Sequence, residues 1–173
     1  MGLAVSEMRK GMTMLYDGEL YEIVEYEHSK RGRAGAVAKT KLRHLKSGRV
    51  TSATFKGSEN TESAFLESRQ LQYVYHDGTA FVFMDNETFE QAPISEDVLG
   101  DQAKFLLEGN NVIGYYHDNA LVKVELPNFV ELKVTQSEPA TLETGVIVQV
   151  PMFIKEGDTL KIDTRTGTYV ERL

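Results

Sequence analysis

Nine Lys and Arg residues, and no Asp or Glu, lie between His28 and Lys56 (HSKRGRAGAVAKTKLRHLKSGRVTSATFK), in a chain of formal net charge -7. Before this stretch six carboxylates face two cations, and after it twenty face eight. A need for solubility would spread charge evenly. A cationic zone in an acidic body implies one polyanion met at one end, and RNA is the polyanion expected. Its sharpest point is Ser29-Lys30-Arg31-Gly32-Arg33-Ala34-Gly35. Gly32 and Gly35 permit a tight excursion, and Arg33 between them offers five donors and a flat face to phosphate or base. The competing reading is a solvated hairpin tip. Gly32-x-x-Gly35 also matches the phosphate-clamping loop of KH domains, but that loop joins helices and this one joins strands.

Other residue types offer less. His76-Asp77 and His117-Asp118 have the look of metal-ligand pairs, yet both fall where hairpin turns are expected, and turns use Asp and Asn for their own hydrogen bonds. Without cysteine there is no zinc cage, disulfide or thiol nucleophile. No Gly-rich phosphate loop, Gly-x-Ser-x-Gly elbow or His-Glu-x-x-His is present. No metal, cofactor or catalytic residue is therefore expected. Tyr73, Tyr75, Phe81, Phe83, Tyr115 and Tyr116 could stack bases, but at strand spacing core packing is the commoner use.

The elements that must carry these residues read as short strands. Met12–Tyr16, Asp17-Gly18 and Glu19–Tyr26 form a hairpin, because Asp-Gly supplies the positive φ of a tight turn. In Ala36–Leu45, Ala36, Ala38, Thr40 and Leu42 alternate with Val37, Lys39, Lys41 and Arg43, so Lys39, Lys41 and Arg43 form a row over a buried face. Lys46-Ser47-Gly48 turns the chain into Val50–Phe55, completing a barrel of about five strands, and the polar run Gly57–Ser63 makes a boundary. Arg69–Tyr75 with Thr79–Asp85, and Val112–Tyr116 with Leu121–Val124, are two similar hairpins of one barrel. Ser95–Leu107 is the expected helix, capped by Ser95 and stopped at Gly109. Pro127-Asn128 marks a second boundary. Phe129–Thr135, Thr144–Val150, Thr159–Asp163 and Thr168–Arg172 are four further strands, and the last turn exposes Arg165. The expectation is all-β, three small barrels in series, spanning 1–64, 65–127 and 128–173.

Composition bounds the rest. A hydrophobic content of 41% and a charged content of 26% describe a globular chain. With no apolar run of membrane length and no signal-peptide core, no membrane contact is expected, and the cysteine-free composition suits a reducing cytoplasm.

Four stretches together resemble bacterial elongation factor P, the relative of archaeal and eukaryotic initiation factor five-A. They are Gly32-Arg33 with Lys41-Leu42-Arg43-His44-Leu45 and Ser47-Gly48; Met84-Asp85-Asn86-Glu87-Thr88-Phe89-Glu90-Gln91; Pro139 through Phe153; and Asp163 to Tyr169. The resemblance implies an SH3-like, KOW-type first barrel and two OB folds, arranged as an L with the outline of tRNA. It implies binding to ribosomes stalled on consecutive prolines, between the peptidyl and exit sites, with Arg33 approaching peptidyl-tRNA. Lys30, Arg31, Gly32, Lys39, Lys41, Arg43 and Arg165 would meet RNA, and the partners would be rRNA, ribosomal proteins and peptidyl-tRNA, for a factor acting as a monomer. Such a factor is no enzyme, because the ribosome supplies the chemistry. Two departures stand out. Arg33 takes the tip where many members carry a modified lysine, so it becomes the candidate for a modifying enzyme. Between Val134 and Pro139 only Thr135–Glu138 replaces a longer Gly-rich stretch; either the loop is deleted or residues are missing from the sequence. The rivals are a general rRNA-binding or ribosome-assembly module without a proline effect, and a β-barrel enzyme or small-molecule binder.

Overall fold

The computed structural model describes residues 2–30, 32, 35–57 and 61–173, with Lys30 by its backbone alone. Its strands are β1 (Gly2–Leu3), β2 (Thr13–Tyr16), β3 (Glu19–Lys30), β4 (Ala36–His44), β5 (Val50–Lys56), β6 (Thr61–Ser63), β7 (Glu67–His76), β8 (Ala80–Asp85), β9 (Gln91–Ser95), β10 (Asn111–His117), β11 (Ala120–Glu125), β12 (Phe129–Ser137), β13 (Ala140–Leu142), β14 (Thr159–Asp163) and β15 (Thr168–Arg172). Among the described residues the one α-helix, α1, is Glu96–Leu99. They form three antiparallel sheets in chain order: β1-β6-β2-β3-β4-β5, then β11-β10-β7-β8-β9, then β13-β12-β14-β15. The fold is all-β, as expected.

Alternation explains most of this. On β4, Ala38, Thr40 and Leu42 are buried while Lys39 and Lys41 are exposed, so period two sorts the strand into a core face and a wet face. Asp17 and Gly18 take φ 54° and 77° in the β2–β3 turn, the doubly positive geometry that matches strand twist. The two similar hairpins, β7–β8 and β10–β11, lie side by side in the second sheet through the β7–β10 pairing. Its outer strands β9 and β11 come into contact, so that sheet curls toward closure.

Three expectations need correction. Ser95–Leu107 is not one helix: α1 stops after one turn at Gly100, whose φ of 62° leaves the helical region, and residues Gly100–Phe105 continue as a 3-10 helix. Thr144–Val150 is not a strand of the ladder. Glu143-Thr144-Gly145 turns instead, and the return arm pairs loosely with β13 through Leu142 N–H to Val146 O (2.9 Å) and Val148 N–H to Ala140 O (3.0 Å). Finally, the polar run Gly57–Ser63, read as turn-rich, ends in a strand: Thr61–Ser63 is β6, which joins β1 to β2. Thr61 is 2% exposed and its hydroxyl donates to Leu3 O at 2.7 Å. A three-residue strand of polar letters shows no period, so nothing local announces it. The first sheet thus has six strands.

The first sheet has its own apolar core, built on Met8, Met14, Ile23, Leu42 and Phe55. The second and third share one continuous core, from Leu71 and Phe83 through Phe105 and Leu106 to Leu132, Leu160 and Ile162. The 3-10 segment supplies the bridge, since Phe105 reaches within 3.3 Å of the space beside Gly167 in the β14–β15 turn. β12 passes into β13 through Glu138-Pro139 alone, with Ser137 opposite Ala140, so the shortened stretch closes as a tight hairpin in the chain as it stands.

Candidate nucleic-acid interface

Among the described residues β3 and β4 form the longest ladder, from Tyr21 opposite His44 to Lys30 opposite Ala36. The loop between them holds Gly32 at φ 42° and Gly35 at φ 81°. Arg31 and Arg33 lie outside the described residues, as does the Lys30 side chain.

Along the ladder the cationic row has a neighbour that composition hides. A bulge between Ile23 and Glu25 shifts the register by one residue, which turns every later side chain of β3 to the other face. Glu25 then stands opposite Lys41 and Glu27 opposite Lys39. Lys41 Nζ meets Glu25 Oε2 at 2.9 Å. The stretch without a carboxylate in sequence is therefore lined by carboxylates in space. Both lysines remain solvent-exposed, and screening by water leaves the pair weakly coupled, so the lysines can exchange these partners for phosphate.

The lysines border a groove of about 730 Å³ together with Arg9, Lys10, Ser52 and Thr54. Arg9 and Lys10 escape a reading built on strand alternation because they precede β2 in an irregular stretch. The adjacent basic pair before Gly11 is the signal that could have found them. Arg9 donates from Nη1 to Ser6 O (2.8 Å) and Met8 O (2.6 Å), which holds its guanidinium against the backbone, while Lys10 is exposed.

Arg43 sits apart from the row. It is half-buried, with Nη1 3.4 Å from Val98 O of α1, and its guanidinium lies across Gly100, 3.0 to 3.3 Å from where a Cβ would stand. It spans from the first sheet to the second instead of facing the groove. His44 beside it accepts from Ser47 N–H through Nδ1 (3.1 Å) and pairs through Nε2 with Glu19 (2.7 Å); it fastens the β4–β5 turn, and that hydrogen bond lowers the Glu19 pKa.

Arg165 is remote from this groove, in the β14–β15 turn. Nε and Nη2 meet the two oxygens of Asp163 at 3.0 and 2.8 Å, and the guanidinium lies 5.4 Å from the Phe129 ring centre. The hydrogen bonds hold the Asp163 carboxyl below, and the Arg165 guanidinium above, their usual ranges. Lys161 Nζ flanks the same ring at 5.1 Å. The structure thus brings Lys39 and Lys41 together and sets Arg43 and Arg165 elsewhere.

The His-Asp pairs are turns. Asp77 Oδ1 accepts from Thr79 N–H (2.9 Å), Ala80 N–H (2.8 Å) and the Thr79 hydroxyl (2.9 Å), and these bonds lower its pKa. Among the described residues no three of His, Cys, Asp and Glu converge as metal ligands. No helix there is long and apolar enough to cross a membrane. Tyr73, Phe83 and Tyr116 are core residues.

Comparison with known proteins covers the chain in three consecutive pieces. Residues 4–61 match the elongation factor P KOW-like domain, 66–124 the elongation factor P OB domain, and 130–172 the elongation factor P C-terminal domain. Elongation factor P of Natranaerobius thermophilus is 43% identical over 181 aligned positions, covering 97% of this chain and 96% of that protein. Elongation factor P of Clostridium perfringens strain SM101 is 41% identical, covering 97% and 98%. Both alignments exceed the 173 residues present here, so the relatives hold residues that this chain lacks. Among solved structures, eukaryotic translation initiation factor 5A from Methanococcus jannaschii is similar at 22% identity and a TM-score of 0.47, over 72% of this chain and 95% of that one. On the three domain matches and on identity above 40% along nearly its whole length, this chain belongs to the elongation factor P family.

Proposed function

We propose that this chain is a translation elongation factor that binds stalled ribosomes between the peptidyl and exit sites and speeds peptide-bond formation at consecutive prolines by positioning peptidyl-tRNA. Family membership along the whole length supports the broad role. The observation that carries the finer one is the β3–β4 arm, the longest ladder among the described residues, which ends in the Gly32–Gly35 loop with Lys39 and Lys41 on its open face. In this reading Arg33 is the tip effector, and the atom group a modifying enzyme would extend. Lys30, Arg31, Gly32, Lys39 and Lys41 hold phosphates of rRNA or tRNA. Arg43 serves the arm by holding it to the second domain, and Arg165 is a secondary contact. Proline reacts slowly for reasons of geometry and entropy, which placement alone can relieve; the ribosome makes the bond and the factor needs no cofactor. It works as a monomer in the cytoplasm, its three domains at 1–64, 65–127 and 128–173.

Arg33→Ala tests this. In a reconstituted translation system the variant is expected to pellet with ribosomes as the wild type does, yet to lose the acceleration of Pro-Pro-Pro synthesis. Full acceleration by the variant would refute the tip role.

A further inference from the structure

The second domain grips the arm at its root. Glu22 of β3 and Arg43 of β4 stand opposite each other as one rung of the β3–β4 ladder, so their side chains leave the sheet on the same face. Both cross to the second domain. Arg43 reaches Val98 O of α1. Glu22 pairs with Lys123 of β11, Oε1 to Nζ at 3.1 Å, and Lys123 Nζ also donates to Gly11 O at 3.3 Å. Gly11 in turn donates its N–H to Ile23 O at 2.7 Å. Lys123 thus holds β3 and the segment beside it, immediately before the bulge between Ile23 and Glu25.

This pair differs in kind from the Glu25–Lys41 pair farther out on the arm. There the two side chains are 64% and 49% exposed; Glu22 and Lys123 are 16% and 15% exposed. An exposed pair forms and parts at almost no cost. A pair mostly withdrawn from water does not, because parting it within the interface leaves a charge neither hydrated nor compensated.

The length of the arm makes the placement of its root matter. Lys30 lies eight residues beyond Glu22 on β3, which at about 3.3 Å per residue is roughly 26 Å. Over that length a tilt of about 2° at the rung shifts the Gly32–Gly35 loop by about 1 Å, and a misplacement of that size can cost about a hundredfold in a rate that rests on alignment.

We propose that Lys123 is a positioning residue: through Glu22 it sets the angle at which the arm leaves the second domain. Lys123 does not line the groove beside Lys39 and Lys41, so its effect falls on the rate reached on the ribosome and not on ribosome affinity. That consequence rests on the function proposed above; the angle itself does not.

The full chain holds no cysteine, so spin labels on Thr51→Cys of β5 and Glu108→Cys of the second domain, both exposed positions, report the angle without background. Lys123→Met keeps the stem and removes the charge. It is expected to broaden the single label-to-label distance of the labelled parent, to bind ribosomes within about twofold of it, and to lower the saturating rate of Pro-Pro-Pro synthesis about tenfold or more. Lys123→Arg keeps the charge and is expected to restore the narrow distance and most of the rate. Glu22→Gln keeps the size of the partner and is expected to act as Lys123→Met does, which guards against a variant that fails to fold. Parent-like distances in both Lys123→Met and Glu22→Gln would overturn the proposal whatever the rates, and so would broadened distances with an unimpaired rate. No acceleration by the parent itself would overturn the function proposed above, while the distances would still decide whether Lys123 sets the angle.

Discussion

Gly48 ends the β4–β5 turn at φ 73°, against the helix of the second sheet. A Cβ built there would stand 2.4 Å from Asp97 Cβ, 2.6 Å from Asp97 C and 2.9 Å from Asp97 O. Two of these are helix backbone atoms, which cannot swing aside. Carbon atoms rest about 3.5–4.0 Å apart, so Gly48→Ala must part the turn from α1 by more than about 1 Å. That movement pulls Arg43 Nη1 off Val98 O, already at 3.4 Å, a loss of about 1 kcal/mol. The left-handed conformation costs a non-glycine residue about 1 kcal/mol more, and the lost packing brings the total to roughly 2–4 kcal/mol. Gly18→Ala is the control. Its φ is 77° with nothing within 4 Å of the new methyl, so only the backbone cost of about 1 kcal/mol applies. Urea unfolding of both variants, followed by far-ultraviolet circular dichroism, should show Gly48→Ala the weaker by more than about 1 kcal/mol. Equal losses would refute the reasoning, for the two sheets would then yield at Asp97 without resistance and the arm would be aimed by something else.

Two further predictions test the electrostatics. Glu25→Gln frees Lys41 from an exposed ion pair, so stability should change by less than about 0.5 kcal/mol. Ribosome affinity at low salt should rise and its salt dependence steepen by up to about one further phosphate contact; unchanged affinity and slope would mean that this face of the arm does not touch RNA. Asp85 has its pKa lowered by hydrogen bonds from the Glu87 and Thr88 backbone. Its stabilising contribution is therefore complete above an unfolded value of about 3.9 and is lost as pH falls through the folded value. Asp85→Asn should be less stable at neutral pH and show a shallower decline on acidification below about pH 4; identical acid slopes for the two proteins would remove Asp85 from the account.

How legible the fold was depended on distance along the chain. Hairpins such as β2–β3 and β14–β15 are written in alternation and turn residues a few positions apart, and they stand where those residues put them. β6 and β1 are three and two residues long, and they form because the fold brings the two ends of the first domain together, β6 lying between β1 and β2. The expected helix after Ser95 was truncated because Gly100 takes a conformation that local propensity does not foretell, in order to pass beneath Arg43. The Thr144–Val150 arm has the right letters for a strand but a turn at Gly145 leaves it only a short partner.

The site divides along the same line. Lys39 and Lys41 on one face follow from a period of two and needed no structure. That Glu25 and Glu27 share this face depends on a bulge of one residue in the partner strand, and a register is a property of a pair.

From its residues alone the chain declares three all-β pieces, a cationic hairpin with Arg33 between glycines, and its family resemblance, because these are carried by spacing and by side-chain type. Tertiary structure decided which cations face the groove, since Arg43 is drawn across to α1 instead. Charge and periodicity are local quantities; the fate of a charge depends on what the fold brings opposite it.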